Sequence, residues 1–172
     1  SFAPLIPRNL RLEVAERMDA DGNVLIPLDE QGLEAGIRGL LEAGVESLVI
    51  HFLHSYKNPA HEQRALEIAR VHWPNSYITA GHQILSEYRE YERGTTASIN
   101  AAIQPVLDRY ISRLQAELTD AGFQHDLLVM QGNGGSVAAP IVAETAVNTV
   151  MSGPASGVMA AAATARAAGI EG

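Results

Sequence analysis

A one-faced helical pattern runs directly into the apolar stretch Val45 to Leu53, and this succession constrains the fold more than any other feature. Leu33, Ile37, Leu40 and Leu41 recur at helical spacing, Asp29 stands where it can cap the first turn, and Gly44 supplies an exit. The apolar stretch reads as a buried strand, so helix and strand together open an α/β unit. The same grammar repeats downstream. Asn58 is placed to cap a helix with Pro59 at its first position, Leu66 and Ala69 face inward, and Pro74 stops it before a short strand from Ser76 to Ala80.

On the N-terminal side, Leu10, Leu12 and Val14 alternate with charged residues, Asp21 and Gly22 mark a tight turn, and Val24, Ile26 and Leu28 resume the alternation. The spacing predicts a β-hairpin whose second strand ends at Pro27 or lies at an edge, because proline cannot donate to a ladder. From Tyr91 to Ala121 the pattern is helical, with Ile99, Ile103, Val106, Tyr110, Ile111, Leu114 and Leu118 on one stripe and Gly122 as terminator. Pro105 is expected to kink or divide that helix. Asp126 to Gln131 is the next expected strand, Ile141 to Ala146 a short helix, and Val147 to Met151 a further strand. A last helix runs from Ser152 to about Ala168.

Between these elements, Gln131, Gly132, Asn133, Gly134, Gly135 and Ser136 leave a strand edge and enter a less regular segment. Glycines there let backbone N–H groups approach a bound group, as phosphate-cradling loops do, and a turn needing positive φ is the plain alternative. Neither a Walker lysine nor a complete GxGxxG accompanies them. Ser152, Gly153 and Pro154 start a helix whose free N–H groups could hold an anion, although the small residues behind them suit a close-packed hinge equally well.

Composition removes several function classes. The formal net charge is −8 and the 12 lysines and arginines are scattered, which argues against nucleic-acid binding. The absence of cysteine excludes disulfides, thiolate metal sites and thiol nucleophiles. Ser1 to Leu5 carries no signal-peptide pattern, the apolar runs are too short to span a bilayer, and the plain expectation is an acidic cytoplasmic protein. Beginning on Ser1 and ending on Gly172 just past a helical pattern, the chain reads as an internal piece of something longer.

His51 and His54 have the spacing of an HxxH metal pair, but on a strand residues three apart face opposite ways, so joint ligation is not expected and no metal site is assigned. His54 alone sits where a buried strand gives way to a loop, the usual place for ligand contacts in an open α/β sheet. The densest polar run is Glu87 to Thr96, followed a turn later by Asn100. Arg89 and Arg93, four apart, can share a helix face and fork onto an anion, and Thr96 with Asn100 offers neutral donors; a solvated helix start has the same composition.

Taken together, Glu16 to Asp19 with Pro27 to Glu30, Phe52 to Tyr56 with Asn58, Pro59, His61 and Glu62, and Arg89 to Arg93 with Thr95, Thr96, Asn100 and Ala101 resemble the hydantoinase A and 5-oxoprolinase family, which includes ATP-dependent ketone carboxylase subunits. Val129 to Gln131 with Asn133 to Gly135, and Ser152 to Ala155 with Gly157 and Val158, continue the resemblance in order along nearly the whole chain. It implies an α/β fold of mixed sheet and flanking helices, part of an actin-like ATPase of ribonuclease H type. The activity implied is ATP-dependent activation of a ring amide by phosphorylation for hydrolysis, with ketone carboxylation or a non-catalytic actin-like nucleotide- or partner-binding module as alternatives.

The same resemblance implies that ATP and Mg²⁺ are gripped by phosphate loops outside this segment, so that the segment alone is inactive. Residues 1–93 would complete a first region and 94–172 begin a second. It further implies His54, Arg89, Glu92, Arg93, Thr96 and Asn100 as substrate-side candidates. Gln131, Asn133, Gly134, Gly135 and Gly153 would neighbour the nucleotide cleft, the glycine loop acting as a wall rather than a phosphate grip. A second, hydantoinase B-type subunit or domain is the expected partner.

Overall fold

The computed structural model describes residues 4–170. Ser1 to Ala3 and Glu171 to Gly172, on which the expectations of no signal peptide and of a longer chain partly rest, lie outside the described residues. The chain forms two compact units, Ser1–Pro105 and Val106–Gly172.

The first unit opens with a 3-10 turn, Arg8–Leu10, and then the hairpin of β1 (Arg17–Met18) and β2 (Val24–Ile26). The first strand is therefore not the Leu10–Val14 alternation. Asp19 decides the matter locally: its carboxylate accepts the N–H groups of Asp21 at 2.9 Å and Asn23 at 2.8 Å, with Gly22 at φ +89°, and this turn pairs Met18 with Val24. Met18 is buried at 1% exposure, while Leu12 remains 49% exposed. β2 stops before Pro27, as expected.

α1 (Glu30–Glu42) is capped by Asp29, whose side chain accepts the Gly32 N–H at 3.0 Å, and Gly44 leaves it at φ +76°. Its buried residues, Leu33 and Ile37, pack with β3 (Leu48–Ile50), α2 (Ala60–His72) and β4 (Ile78–Ala80) in one core that includes Leu66, Ala69 and Trp73. Burial of each large apolar side chain there contributes about 1.5–3 kcal/mol. α2 starts one residue later than expected, with Pro59 rather than Asn58 at the N-cap, and Asn58 just before it accepts the Ala60 N–H at 3.0 Å. β3 and β4 pair in parallel, Leu48 opposite Ile78 and Ile50 opposite Ala80, so β3, α2 and β4 form a βαβ unit. β3 is shorter than the Val45–Leu53 run, since only three residues of β4 are there to pair with it.

A short α3 (Gly81–Ile84) leads to α4 (Glu90–Asp120), which is helical straight through Pro105, with the division between the units falling at that residue. In the first unit its buried positions are Arg93, Ala97, Asn100, Ala101, Gln104 and Pro105, a face made mostly of small and polar residues. The apolar stripe read from the sequence is only half right: Ile111 is buried, whereas Val106 and Tyr110 are 62% and 61% exposed.

In the second unit β5 (Leu128–Met130) turns back on β6 (Ser136–Ala138) in an antiparallel hairpin, so the segment after the glycines is a strand rather than irregular chain. α5 (Ala139–Val142) begins earlier than expected, with Pro140 in its first turn. Val147–Met151 is not a strand. A 3-10 helix spans Ala146–Thr149, with the Asn148 backbone N–H bonded to Thr145 C=O and Thr149 Oγ1 donating to Ala146 C=O at 2.7 Å, the side-chain bonding by which Thr competes with a ladder. α6 (Ser152–Ala167) follows, as predicted. Ile111, Ala139 and Val142 form this unit's small core with Leu107, Leu127, Val129 and Val137. Among the described residues the strands make three two-stranded sheets, one parallel and two antiparallel, in place of one continuous mixed sheet.

Candidate functional site

The parallel strands β3 and β4 end side by side, and the chain places its ionisable groups there. Glu62, in the first turn of α2, is fully buried. One carboxylate oxygen accepts the Phe52 N–H at 2.8 Å; the other accepts the His82 N–H at 2.7 Å and lies 2.7 Å from His82 Nδ1. A single side chain thus ties the exit of β3 to the exit of β4. Arg93, also fully buried, holds the other side of the same residue: it donates to the Phe52 carbonyl at 3.2 Å and to the Glu87 carbonyl at 2.6 Å, and reaches Glu90 Oε1 at 3.4 Å. Its guanidinium lies 5.6 Å from the Tyr56 ring centroid. Phe52 is clamped by an anion at its N–H and a cation at its C=O.

His51 and His54 do not converge. His51 Nδ1 lies 3.8 Å from Glu62, whereas His54, at φ +57°, donates its N–H to Glu90 at 3.3 Å. Burial holds the His51 imidazole below the ordinary histidine pKa; Glu62 pulls it up and Arg93 down, and the net direction is down. For Glu90 burial acts to raise the carboxyl, but its own backbone N–H, the His54 N–H and Arg93 together outweigh it and hold the pKa low. Among the described residues no three His, Asp or Glu gather as a metal-binding group.

Beside these groups an apolar cleft of about 600 Å³ runs along β3, lined by Leu33 and Ile37 of α1, by Leu48 through Phe52, by Tyr91 and Thr95 of α4, and by the N-terminal segment, Leu5, Leu10 and Val14 among it. His51 and Glu90 are its ionisable rim on the strand-end side.

The sequence-derived candidates separate into engaged and open groups. Arg89 and Arg93 do not fork onto one anion, because Arg93 points inward while Arg89 stays 62% exposed, paired with Glu92 at 3.1 Å. Thr96 is spent on its own helix, Oγ1 to Glu92 C=O at 2.7 Å, and Asn100 donates to Thr79 Oγ1 at 3.0 Å, fastening α4 to β4. Glu62 and Glu90, which carry the family resemblance but no assigned role, and His82, which no motif includes, are the functional groups the sequence reading did not single out. Their signal was present: Glu62 shares the inward stripe of Leu66, Ala69 and Trp73 at helical spacing, and an acid on a buried stripe demands a partner.

The glycine loop is a closed hairpin turn. Gln131 N–H bonds Gly135 C=O at 2.8 Å, Gly132 N–H bonds Asn148 C=O at 2.7 Å, Gly134 N–H bonds Gln131 C=O at 3.0 Å, and Gly135 N–H bonds Asn133 Oδ1 at 2.8 Å. With the backbone donors of Gln131, Gly132, Gly134 and Gly135 consumed, the loop does not fit a phosphate cradle of backbone N–H groups. Gly132 and Asn133 instead border a hollow of about 300 Å³ with Asn148 and Val150. Gly153 stands in the first turn of α6 with open space where a Cβ would go. None of the described helices is long and apolar enough to cross a membrane.

Residues 2–73 match the hydantoinase/oxoprolinase N-terminal region and residues 93–171 match hydantoinase/oxoprolinase. Caprolactamase subunit alpha of Pseudomonas jessenii is 38% identical over 97% of this chain, which covers 24% of that protein. The acetophenone carboxylase gamma subunit of Aromatoleum aromaticum is 35% identical over 92% of the chain and 22% of its own length. The crystal structure of ATP-dependent caprolactamase from P. jessenii superposes with a TM-score of 0.89 at 37% identity, over 96% of this chain and 24% of that one. The chain therefore spans about a quarter of the length of these relatives.

Proposed function

Because the chain belongs to the hydantoinase/oxoprolinase family, we propose that it is part of a subunit that opens a cyclic amide at the expense of ATP. The observation that carries this is the end-to-end likeness to caprolactamase subunit alpha, in sequence and in backbone. The βαβ unit of β3, α2 and β4, followed by a long helix into a second α/β unit, supports an actin-like ATPase fold of ribonuclease H type, with a boundary between sequence regions near Arg93.

ATP and its Mg²⁺ belong, on this reading, to parts of the full-length protein outside this chain, since the glycine loop does not fit phosphate. No step of the reaction is routed through it. The substrate-side candidates divide by role: Arg93 and Asn100 are positioning residues that hold the strand ends and α4 in place, while Arg89, Glu92 and His54 offer groups nearer the surface. Thr96 stays within its helix. A hydantoinase B-type subunit is the proposed partner and the cytoplasm the proposed location, the caprolactamase and carboxylase relatives being themselves named as subunits.

The test is ADP formation by the full-length protein with its partner subunit. Turnover that requires a lactam, hydantoin or 5-oxoproline is expected. Turnover that instead requires a ketone with bicarbonate assigns the second reading, ketone carboxylation, which the 35% identity to the acetophenone carboxylase subunit favours. ATP turnover indifferent to every one of these compounds replaces the enzyme with a nucleotide-binding module.

A further inference from the structure

We infer that the Asn133–Gly134 link, at the tip of the β5–β6 hairpin, is a site of spontaneous covalent modification at which the Asn133 amide is exchanged for a carboxylate through a succinimide. The site lies wholly in the second unit, and nothing in it depends on the reaction proposed above.

The chain holds seven asparagines, and the residue after each decides what its side chain can do. In the step proposed, the backbone nitrogen of the following residue gives its proton to hydroxide, attacks the asparagine Cγ and closes a five-membered ring as ammonia leaves. Water then opens the ring. Attack at Cγ gives aspartate, and attack at the main-chain carbonyl gives isoaspartate, whose backbone runs through the former side chain. One amide and one water are consumed and one ammonia is released, with no oxidant or reductant. A Cβ on the attacking residue crowds its approach, and proline has no N–H to lose. Leu10, Val24, Pro59, Ser76, Ala101 and Thr149 follow the other asparagines, so Gly134 alone brings a nitrogen without a side chain.

The structure prepares the same link. Asn133 is exposed, and its Oδ1 accepts the Gly135 N–H at 2.8 Å. That bond closes a small ring containing both Asn133 Cγ and the Gly134 nitrogen, and so holds electrophile and nucleophile close along the turn. It also polarises the Cγ carbonyl and stays in place for the oxyanion that forms on attack. The Gly134 N–H bonds Gln131 C=O at 3.0 Å, a single turn bond that opens before the proton is lost. Asn100, by contrast, is buried in α4 and donates to Thr79. Either product sets a negative charge beside the hollow that Gly132, Asn148 and Val150 border, and isoaspartate lengthens the backbone inside the turn that Gln131 N–H closes onto Gly135 C=O.

The experiment holds the folded full-length protein at pH 8 and 37 °C for days, beside a synthetic peptide of residues 129–138. Peptide mass mapping, with fragmentation that separates aspartate from isoaspartate, follows both. Asn133 should gain about 1 Da, partly as isoaspartate, as amide replaced by acid requires. Its rate in the protein should be no lower than in the peptide, at least tenfold above that of any other asparagine, and should rise with pH because the nitrogen must lose its proton. Asn133→Gln, whose longer side chain would have to close a larger ring, should keep its mass. A protein rate below that of the peptide means that the fold shields the link and overturns the inference. Conversion of another asparagine first, or a rate that does not rise with pH, overturns it equally.

Discussion

Glu62 is the side chain whose removal should cost the first unit most. It is fully buried, and its two oxygens accept the N–H groups of Phe52 and His82 while facing His82 Nδ1. Each hydrogen bond to a charged group is worth about 1.5–3 kcal/mol, and a buried donor left without an acceptor carries a penalty of about 1–3 kcal/mol. Glu62→Ala strands two backbone donors at once, so a loss of about 3–5 kcal/mol follows, comparable with breaking a buried ion pair. Glu62→Gln keeps one acceptor oxygen but turns an NH2 group against the second backbone N–H, for a loss of about 1–3 kcal/mol.

Trp73 supplies the signal. It is the single tryptophan of the chain, 5% exposed, in the same core, and its indole N–H bonds the Glu46 carbonyl at 3.3 Å. Urea unfolding followed by its fluorescence should rank wild type above Glu62→Gln and Glu62→Ala lowest. Glu67→Ala, which removes a carboxylate 64% exposed and paired with the half-exposed Arg64, should stay within ~0.5 kcal/mol of wild type. A Glu62→Ala loss below ~1 kcal/mol, or one no larger than that of Glu62→Gln, would refute the tie between the strand ends.

Four further outcomes are expected. His51 is held below the ordinary histidine pKa by burial, so the unfolded chain takes up a proton first as pH falls below about 6.5; stability is full above that pH and declines toward the folded pKa. Urea midpoints between pH 8 and 5 should show the decline, and His51→Asn should flatten it. Gly132→Ala drives a Cβ into the Val150 carbonyl and should lower the thermal midpoint of the second unit by circular dichroism, at a cost of about 1–3 kcal/mol, whereas Gly157→Ala, with open space around it, should be neutral or stabilising. Arg93→Ala in the full-length protein should lower substrate-dependent ADP formation at least tenfold together with stability, and Arg93→Lys should recover only part of each because lysine cannot bridge the Phe52 and Glu87 carbonyls as a fork. Asp29→Ala should cost ~1 kcal/mol in the same urea assay through loss of the α1 cap.

Much of the scaffold was legible because local chemistry and tertiary packing agree on it. Asp29, Gly44, Asn58 and Gly122 punctuate the helices where the sequence places them, and α6 starts at the expected Ser152. Misreadings occur where a local bond overrides a pattern. The Asp19 turn selects Arg17–Met18 over the better-alternating Leu10–Val14, and the Thr149 hydroxyl bonds back to Ala146 where an apolar run curls into a 3-10 turn. The buried face of α4 was illegible for a different reason: Arg93 and Asn100 read as ligand donors or a solvated helix start until Phe52, Thr79 and the strand ends are brought against them by tertiary folding. Arg93 was picked out for its charge, but what the fold asks of it is a carbonyl clamp. Glu62 enters the family resemblance without a role, because its place on the inward stripe shows only that it needs a partner and does not say which.

The clamp on Phe52 also says where a gene of this kind can be divided. Residues 2–73 and 93–171 are recognised as separate sequence regions, yet Glu62 belongs to the one and Arg93 to the other, and both grip the same backbone residue. A chimera joined between residues 73 and 93 inherits half of the grip from each parent and holds its strand ends only if both parents carry it. The natural exchange unit is therefore the compact unit through Pro105, with Glu62, His82 and Arg93 travelling as one cargo.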